Sequence, residues 1–239
     1  SFAEGLVPQM ILPLLSTILV GVFMEYVVGI PIIALTDGIA SLLISLQGGT
    51  SILILGVILG ILSSVDYGGP INKVVFVFVL SLMTQGIGAP IATLISASMI
   101  APFGLTMGYF LSRILHKTIY STQEVNALKS AFLMGCCQIT EGSYPIILND
   151  LVRITICTGA GAAVDGALTM YWDCSSTVPA GGFFALAGIS HPGLWVASLL
   201  IGSAVFAVLL QFLKRKPLED SDEPETEKEL NLASIKISG

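Results

Sequence analysis

From Val74 to Ser112 the chain runs 39 residues without an Asp, Glu, Lys, Arg or His. A helix needs only about 20 apolar residues to cross the hydrocarbon core of a bilayer, so this stretch belongs in a membrane. A second uncharged run, Leu194 to Leu213, ends at Lys214, Arg215 and Lys216, the basic stop expected of a cytoplasmic exit. Only 11% of the 239 residues are charged, and the last 26 hold five basic and seven acidic side chains, so the body is nearly uncharged. These features exclude a nucleic-acid binder and a disulfide-stapled secreted domain. They predict an all-α integral membrane protein with several spans.

The apolar segments are repeatedly broken. Leu6–Val28 is long enough to span, and Pro31–Leu46 has the spacing of an amphipathic, interfacial helix. Ile52–Leu62 and Val74–Met83 are each too short to cross, and Ser63–Lys73 between them carries Asp66, Gly68, Gly69, Pro70, Asn72 and Lys73. A soluble loop would account for this; a discontinuous helix accounts for it better, since irregular backbone at membrane depth survives only against protein or a water-filled cavity. Ser121–Glu124 reads as a capping box opening a helix that stops at Gln138–Pro145, where Thr140, Glu141 and Gly142 form the tip of a re-entrant hairpin. An acid at such a tip needs a cavity or a partner, and Arg153 is the nearest candidate. For Arg153, an ion pair with Asp150 or Glu141 and direct ligand contact are both open.

Ile154–Trp172 can span, with Asp165 among Gly159, Gly161 and Gly166 and read as a packing hydrogen bonder. Asp173–Gly193, containing Gly181 and Gly182, is a third interrupted stretch, with His191 at the interface. Arg113, His116 and Lys117 form a second basic cluster, which agrees with the C-terminal one only if an even number of crossings lies between them. Cys136, Cys137, Cys157 and Cys174 fit no zinc spacing and read as small buried hydrophobes. No signal peptide is read at the first residue, Ser1. Residues 1–216 read as a membrane domain and 217–239 as an acidic, disordered tail.

Neutral polar groups with one buried acid suit hydroxyl-rich ligands, because a carboxylate accepts two hydroxyls and an asparagine both donates and accepts. Sugar is therefore the expected substrate. An inorganic cation would need convergent carboxylates, and the acids Asp66, Glu141, Asp150 and Asp165 are scattered in sequence; only their proximity in the fold would restore that reading, and no metal or cofactor is expected. An ion-coupled secondary transporter using Asp66, Glu141 or Asp165 is the alternative class.

Gly68-Gly69-Pro70-Ile71-Asn72-Lys73 taken with Ile139-Thr140-Glu141-Gly142 resembles the IIC membrane component of the fructose-type phosphotransferase system, over residues 5 to 215. That resemblance implies a bacterial inner-membrane sugar permease with a cytoplasmic C-terminus. It also implies a phosphorylated IIB partner, IIA upstream of it, and a homodimer. The site residues it implies are Glu141 and Asn72 against the sugar, with Asp66, Lys73, Thr140 and Gly142 around them. Gly68, Gly69, Pro70, Asp150, Arg153, Gly181 and Gly182 support that site. No cysteine or histidine here has the surroundings of a phosphoryl carrier, which places those residues on other chains or segments. The family has more helices ahead of the first one here, so the chain reads as N-terminally short.

Three departures bear on the substrate. The family's D-P-x-R is Asp150-Leu151-Val152-Arg153, its I-T-E-G-A-I-P-F continues here with Ser143, Tyr144 and Ile146, and the histidine of its A-P-H-G-G is Ala180. The substrate is thus open between fructose and a fructose-like sugar or glycoside.

Overall fold

A computed structural model describes residues 12–23 and 52–215, with Tyr26, Ile30 and Ser41. Among the described residues the helices are α1 (Leu12–Phe23), α2 (Ile52–Ser64), α3 (Pro70–Thr84), α4 (Ala89–Ile114), α5 (Thr122–Cys136), α6 (Tyr144–Ile147), α7 (Leu151–Tyr171) and α8 (Pro192–Leu213), with single 3-10 turns at Glu141–Ser143 and Leu148–Asp150 and a longer 3-10 segment at Gly182–Gly188. Among the described residues there is no strand, only a bridge between Ser176 and Ile189. The Pro31–Leu46 helix, apart from Ser41, and the tail 217–239 lie outside the described residues, as do the ends of the Leu6–Val28 span.

Helix α4, about 39 Å long at 1.5 Å per residue, is the axis of the bundle, and its residues Pro90 to Leu105 are all buried. Helices α7 and α8 flank it in alternating directions. At one end the Arg153 guanidinium of α7 donates to the Leu213 carbonyl of α8 (3.0 Å), and the Lys117 ammonium just past α4 donates to the Gln211 carbonyl (3.3 Å). At the other end Ser176 N–H donates to the Gly88 carbonyl (3.0 Å) and the Trp195 indole to the Ala92 carbonyl (3.0 Å). Two traverses, α7 and α8, therefore separate the basic cluster after α4 from the one after α8. Both clusters lie at the same end, as the charge pattern required.

The close approaches use glycine. Helix α2 lies antiparallel on α7, where a Cβ at Gly60 would fall on the Ala162 carbonyl oxygen and one at Gly166 on the Gly56 carbonyl oxygen. On another face of α7, Gly161 and Gly202 of α8 meet backbone to backbone, each ideal Cβ 2.6 Å from the other's carbonyl oxygen. Without a hydrophobic drive between helices in lipid, such close packing is what holds spans together. The small residues around Gly161 and Ala162 are thus taken up within the chain.

The expected discontinuous helix at Ser63–Lys73 is instead a reversal. Val65 packs on Gly159, near the middle of α7, and Asn72 at the start of α3 reaches Ser98 near the middle of α4. The first hairpin, α2–α3, enters and leaves at the end remote from the basic clusters, since two limbs of about 20 Å reach only half-way. The second hairpin, α5–α6, enters from the basic end. Its limbs close on one another through Asn149, whose amide donates to Glu124 Oε1 (3.1 Å).

Glu124 belongs to the expected capping box: its Oε2 accepts from Ser121 N–H (2.9 Å) and Ser121 Oγ from Glu124 N–H (3.2 Å). The same Oε2 pairs with Lys214 (2.6 Å), both side chains being 3% exposed, and Lys214 also lies 4.2 Å over the Tyr120 ring. Lys214 is therefore not a free positive charge of the basic stop, because its partner neutralises it in the interior. Cys157 and Cys174 are buried as expected, and burial pushes the Cys174 thiol up to about 11. Cys136 is half-buried and Cys137, expected as a small buried hydrophobe, is instead exposed at the end of α5, where its backbone packs on Gly182 while its side chain stays accessible.

Candidate functional site

The three interrupted stretches converge. Thr140 Oγ1 at the tip of the second hairpin donates to the Tyr67 carbonyl at the tip of the first (3.0 Å), and Tyr144 Oη donates to the same oxygen (2.9 Å). Tyr67 is anchored in turn by its own hydroxyl, which shares hydrogen bonds with Thr155 (3.0 Å) and Thr158 (3.2 Å) of α7. The third stretch dips inward from the remote end until the Gly181 and Gly182 N–H groups donate to Gln138 Oε1 (2.9 and 3.3 Å). Its glycines are required there, with φ of 129° and 59°, and a Cβ at Gly182 would strike the Cys136 carbonyl oxygen.

Left-handed backbone concentrates at these junctions. Tyr67 (φ 53°), Gly68 (93°) and Gln138 (65°) all sit at tips. Non-glycine residues adopt this region at a cost, which the cross-tip hydrogen bonds offset. Gly68 has no side chain to separate the motifs: its ideal Cβ lies 3.7 Å from both Thr140 Oγ1 and Glu141 Oε1. The G-G-P-x-N-K turn and the I-T-E-G tip, some 70 residues apart in sequence, are thus in contact.

Each side chain at the junction has a defined share of free valence. Asp66 Oδ2 accepts from Asn72 N–H (3.0 Å), capping the first turn of α3, while Asp66 Oδ1 is buried with no donor. The Asn72 amide nitrogen donates to the Ser63 carbonyl and to Ser98 Oγ (3.5 Å), so its donor half is spent on α2 and α4 and only its carbonyl oxygen can face a ligand. Glu141, expected as a buried acid, is instead exposed, so it keeps its charge without a partner: among the described residues nothing donates to or pairs with its carboxylate. Thr140 and Tyr144 have committed their protons to Tyr67. The free valences at the junction are therefore the acceptor oxygens of Asp66, Asn72 and Glu141, together with the Lys73 ammonium and the Ser63 and Ser143 hydroxyls, a mixed set suited to a ligand that carries several hydroxyls.

The remaining expected residues fall as follows. Lys73 is exposed beside Asn72, and Gly69 and Pro70 form the N-terminus of α3. A Cβ at Gly142 would meet Met134 Sδ at 2.8 Å and Ala131 Cα at 3.2 Å, so this glycine lets the tip lie down on α5. Arg153 contacts Asp150 (3.9 Å) and the Leu213 carbonyl, and Asp150 Oδ2 accepts from Arg215 N–H (3.0 Å). That cluster ties α7 to the end of α8, and Glu141 has no part in it. Asp165 is fully buried between α4, α7 and α8, away from the tips. Among the described residues no group of three or more His, Cys, Asp or Glu side chains could hold a metal.

Tyr67 and Gln138 are site residues that sequence reading passed over. Tyr67 acts through its own carbonyl and hydroxyl on side chains of distant segments, Gln138 through its side-chain oxygen on the Gly181 and Gly182 N–H groups, and only their positions beside Gly68 and three residues before Glu141 hint at it.

Comparison with known proteins finds relatives by sequence. No family model matches the chain, and no solved structure matches it. A fructose-specific EIIB'BC component of the phosphotransferase system (PTS) from Rhodobacter capsulatus is 38% identical over 215 residues, 89% of this chain and 36% of that protein. A PTS fructose-specific EIIC component from Haloferax volcanii is 34% identical over 213 residues, 89% of this chain and 56% of the relative. A fructose permease IIC component from Bacillus amyloliquefaciens is 35% identical over 217 residues, 91% of this chain and 69% of the relative. The chain thus spans between about a third and two thirds of these relatives. With such identity sustained along nine-tenths of its length, and with both motifs meeting at one junction, the chain belongs to the fructose-type phosphotransferase IIC family.

Proposed function

We propose that this chain is the sugar-translocating core of a phosphoenolpyruvate-dependent permease, taking fructose or a fructose-like sugar at the junction of the two hairpin tips. The observation that carries the reading is the contact of the tips at mid-depth, each hairpin reaching in from its own end of the bundle. A site so placed is open to one side when one hairpin withdraws and to the other when its counterpart does. Acceptor oxygens beside an ammonium and free hydroxyls suit a polyol, whose hydroxyls both donate and accept.

In this reading Glu141 and the Asn72 carbonyl oxygen accept sugar hydroxyls, with the unpaired Asp66 Oδ1, Thr140 and Lys73 around them. Gly142 shapes the tip. Glu141 also orients the hydroxyl that attacks the phosphoryl group of a IIB partner, accepting its proton at the carboxylate. Gly68, Gly69, Pro70, Gly181 and Gly182 shape the junction, and Asp150 and Arg153 brace α7. IIB, supplied by IIA, docks at the basic end, which faces the cytoplasm by the excess of Arg and Lys there. The unit is residues 1–216, it sits in the cell membrane, and it works as a homodimer. The relatives' names favour phosphotransfer over ion-coupled transport.

The test is uptake of labelled hexoses into vesicles holding the protein, with and without the soluble phosphotransferase proteins and phosphoenolpyruvate. Sugar phosphate inside, formed only with phosphoenolpyruvate, is expected. Unmodified sugar driven by an ion gradient would overturn the reading. Glu141→Gln is expected to abolish uptake while leaving insertion and sedimentation unchanged, and normal uptake by that variant would remove Glu141 from the site.

A further inference from the structure

Two clefts lie side by side on the outer surface of α4. The larger, about 640 Å³, is apolar and runs between α4, α5 and α8, lined by Phe103, Thr106, Phe110, Leu128, Phe132 and Leu200. The smaller, about 270 Å³, is polar and opens at the basic end, where Arg113, Lys117, Thr118 and Thr122 line it. They share Tyr109 and Val125, so one continues into the other. Along α4 the lining runs from Arg113 in the last turn back to Phe103, about 15 Å at 1.5 Å per residue. That distance leads from the end of the bundle to about half-depth.

A cationic, hydroxyl-rich pocket at the surface of a membrane domain, continuous with an apolar groove descending to mid-depth, has the polarity profile of a glycerophospholipid. We propose that this composite cleft is a binding site for an anionic phospholipid, its phosphate between Arg113 and Lys117 and one acyl chain along α4. Charge complementarity carries the assignment. Arg113 is exposed and, among the described residues, has no carboxylate or hydrogen-bond partner, while Lys117 is held in place by the Gln211 carbonyl and the Phe212 ring (5.3 Å). Lys129, exposed on α5, stands at the rim of the apolar part and adds a third cation. Basic pockets between spans at the cytoplasmic side recognise anionic headgroups in this way.

The site has a consequence for transport. Val125, Leu128 and Phe132 are the face that the α5 limb turns toward α4, Phe132 packing on Phe103 (5.1 Å), and the far end of that limb leads to Thr140 and Glu141. A lipid seated there buttresses the second hairpin without touching the junction.

The experiment is native mass spectrometry of the full chain released from nanodiscs of phosphatidylglycerol or phosphatidylcholine. It is repeated for Arg113→Gln, for Arg113→Gln with Lys117→Gln, and for Thr106→Trp, which blocks the groove and leaves the charges. Retained phosphatidylglycerol, little phosphatidylcholine, and binding about thirtyfold weaker in the double variant are expected, each cation contributing about fivefold. Thr106→Trp is expected to lose the lipid with a folded, monodisperse profile, so the result does not depend on the charge variants alone. Equal retention of the two lipids, or undiminished phosphatidylglycerol on Thr106→Trp, would overturn the proposal. So would displacement by millimolar inorganic phosphate, which would make the pocket a site for free phosphate. Efficient disulfide dimers of Thr106→Cys would overturn it too, by making the groove an interface between copies.

Discussion

Glu124 takes a backbone N–H, an amide and an ammonium on its two oxygens, joining the start of α5 to α6's trailing turn and to the end of α8. Removing one partner of a buried pair leaves the other charged and desolvated, which costs about 3–5 kcal/mol, whereas replacing both by apolar groups is far milder. Glu124→Ala should therefore lower the unfolding midpoint in detergent severely. Glu124→Gln with Lys214→Met should recover much of that loss, and additive losses would show that the two side chains are not coupled. The capping box was legible in Ser121–Glu124 because it is a local pattern. The pair was not, because Lys214 stands 90 residues away inside a run that has the composition of a membrane exit.

The elements differ in what sequence could say about them. Long spans announced themselves through charge-free length, and short ones through the polar groups that interrupt them. Direction was the hidden variable: an interrupted span and a hairpin have the same composition, and only the antiparallel seat of α2 on α7 decides between them. That seat depends on glycine. A methyl group at Gly60 or Gly166 would meet a backbone carbonyl that no rotamer change can move, so Gly60→Ala or Gly166→Ala should destabilise by about 1–3 kcal/mol or more and unseat the first hairpin. Gly193 at the start of α8 has open space around it, and Gly193→Ala should be nearly neutral in the same melting experiment. Equal effects at the two kinds of position would refute the packing account.

For the molecule as a whole, sidedness follows from the ends at which the chain turns. With Cys137 replaced by serine, Gln123→Cys at the basic end and Thr84→Cys at the remote end should react with a membrane-impermeant maleimide from opposite sides of sealed vesicles. Reaction from one side would dissolve the opposed arrangement of the hairpins. The two motifs were readable as motifs, but their meeting was not, since the bonds that join them end on a carbonyl oxygen, which every residue has. That same carbonyl sets a timetable for biogenesis. Tyr67 waits for donors 73 and 77 residues further along the chain, and at about 5–20 residues per second the ribosome takes several seconds to deliver them. Until then the first hairpin carries an unmatched polar tip that lipid will not accept, so it rests at the membrane surface or in the insertion machinery. Its entry into the bundle is a late step of synthesis, licensed by the arrival of the second.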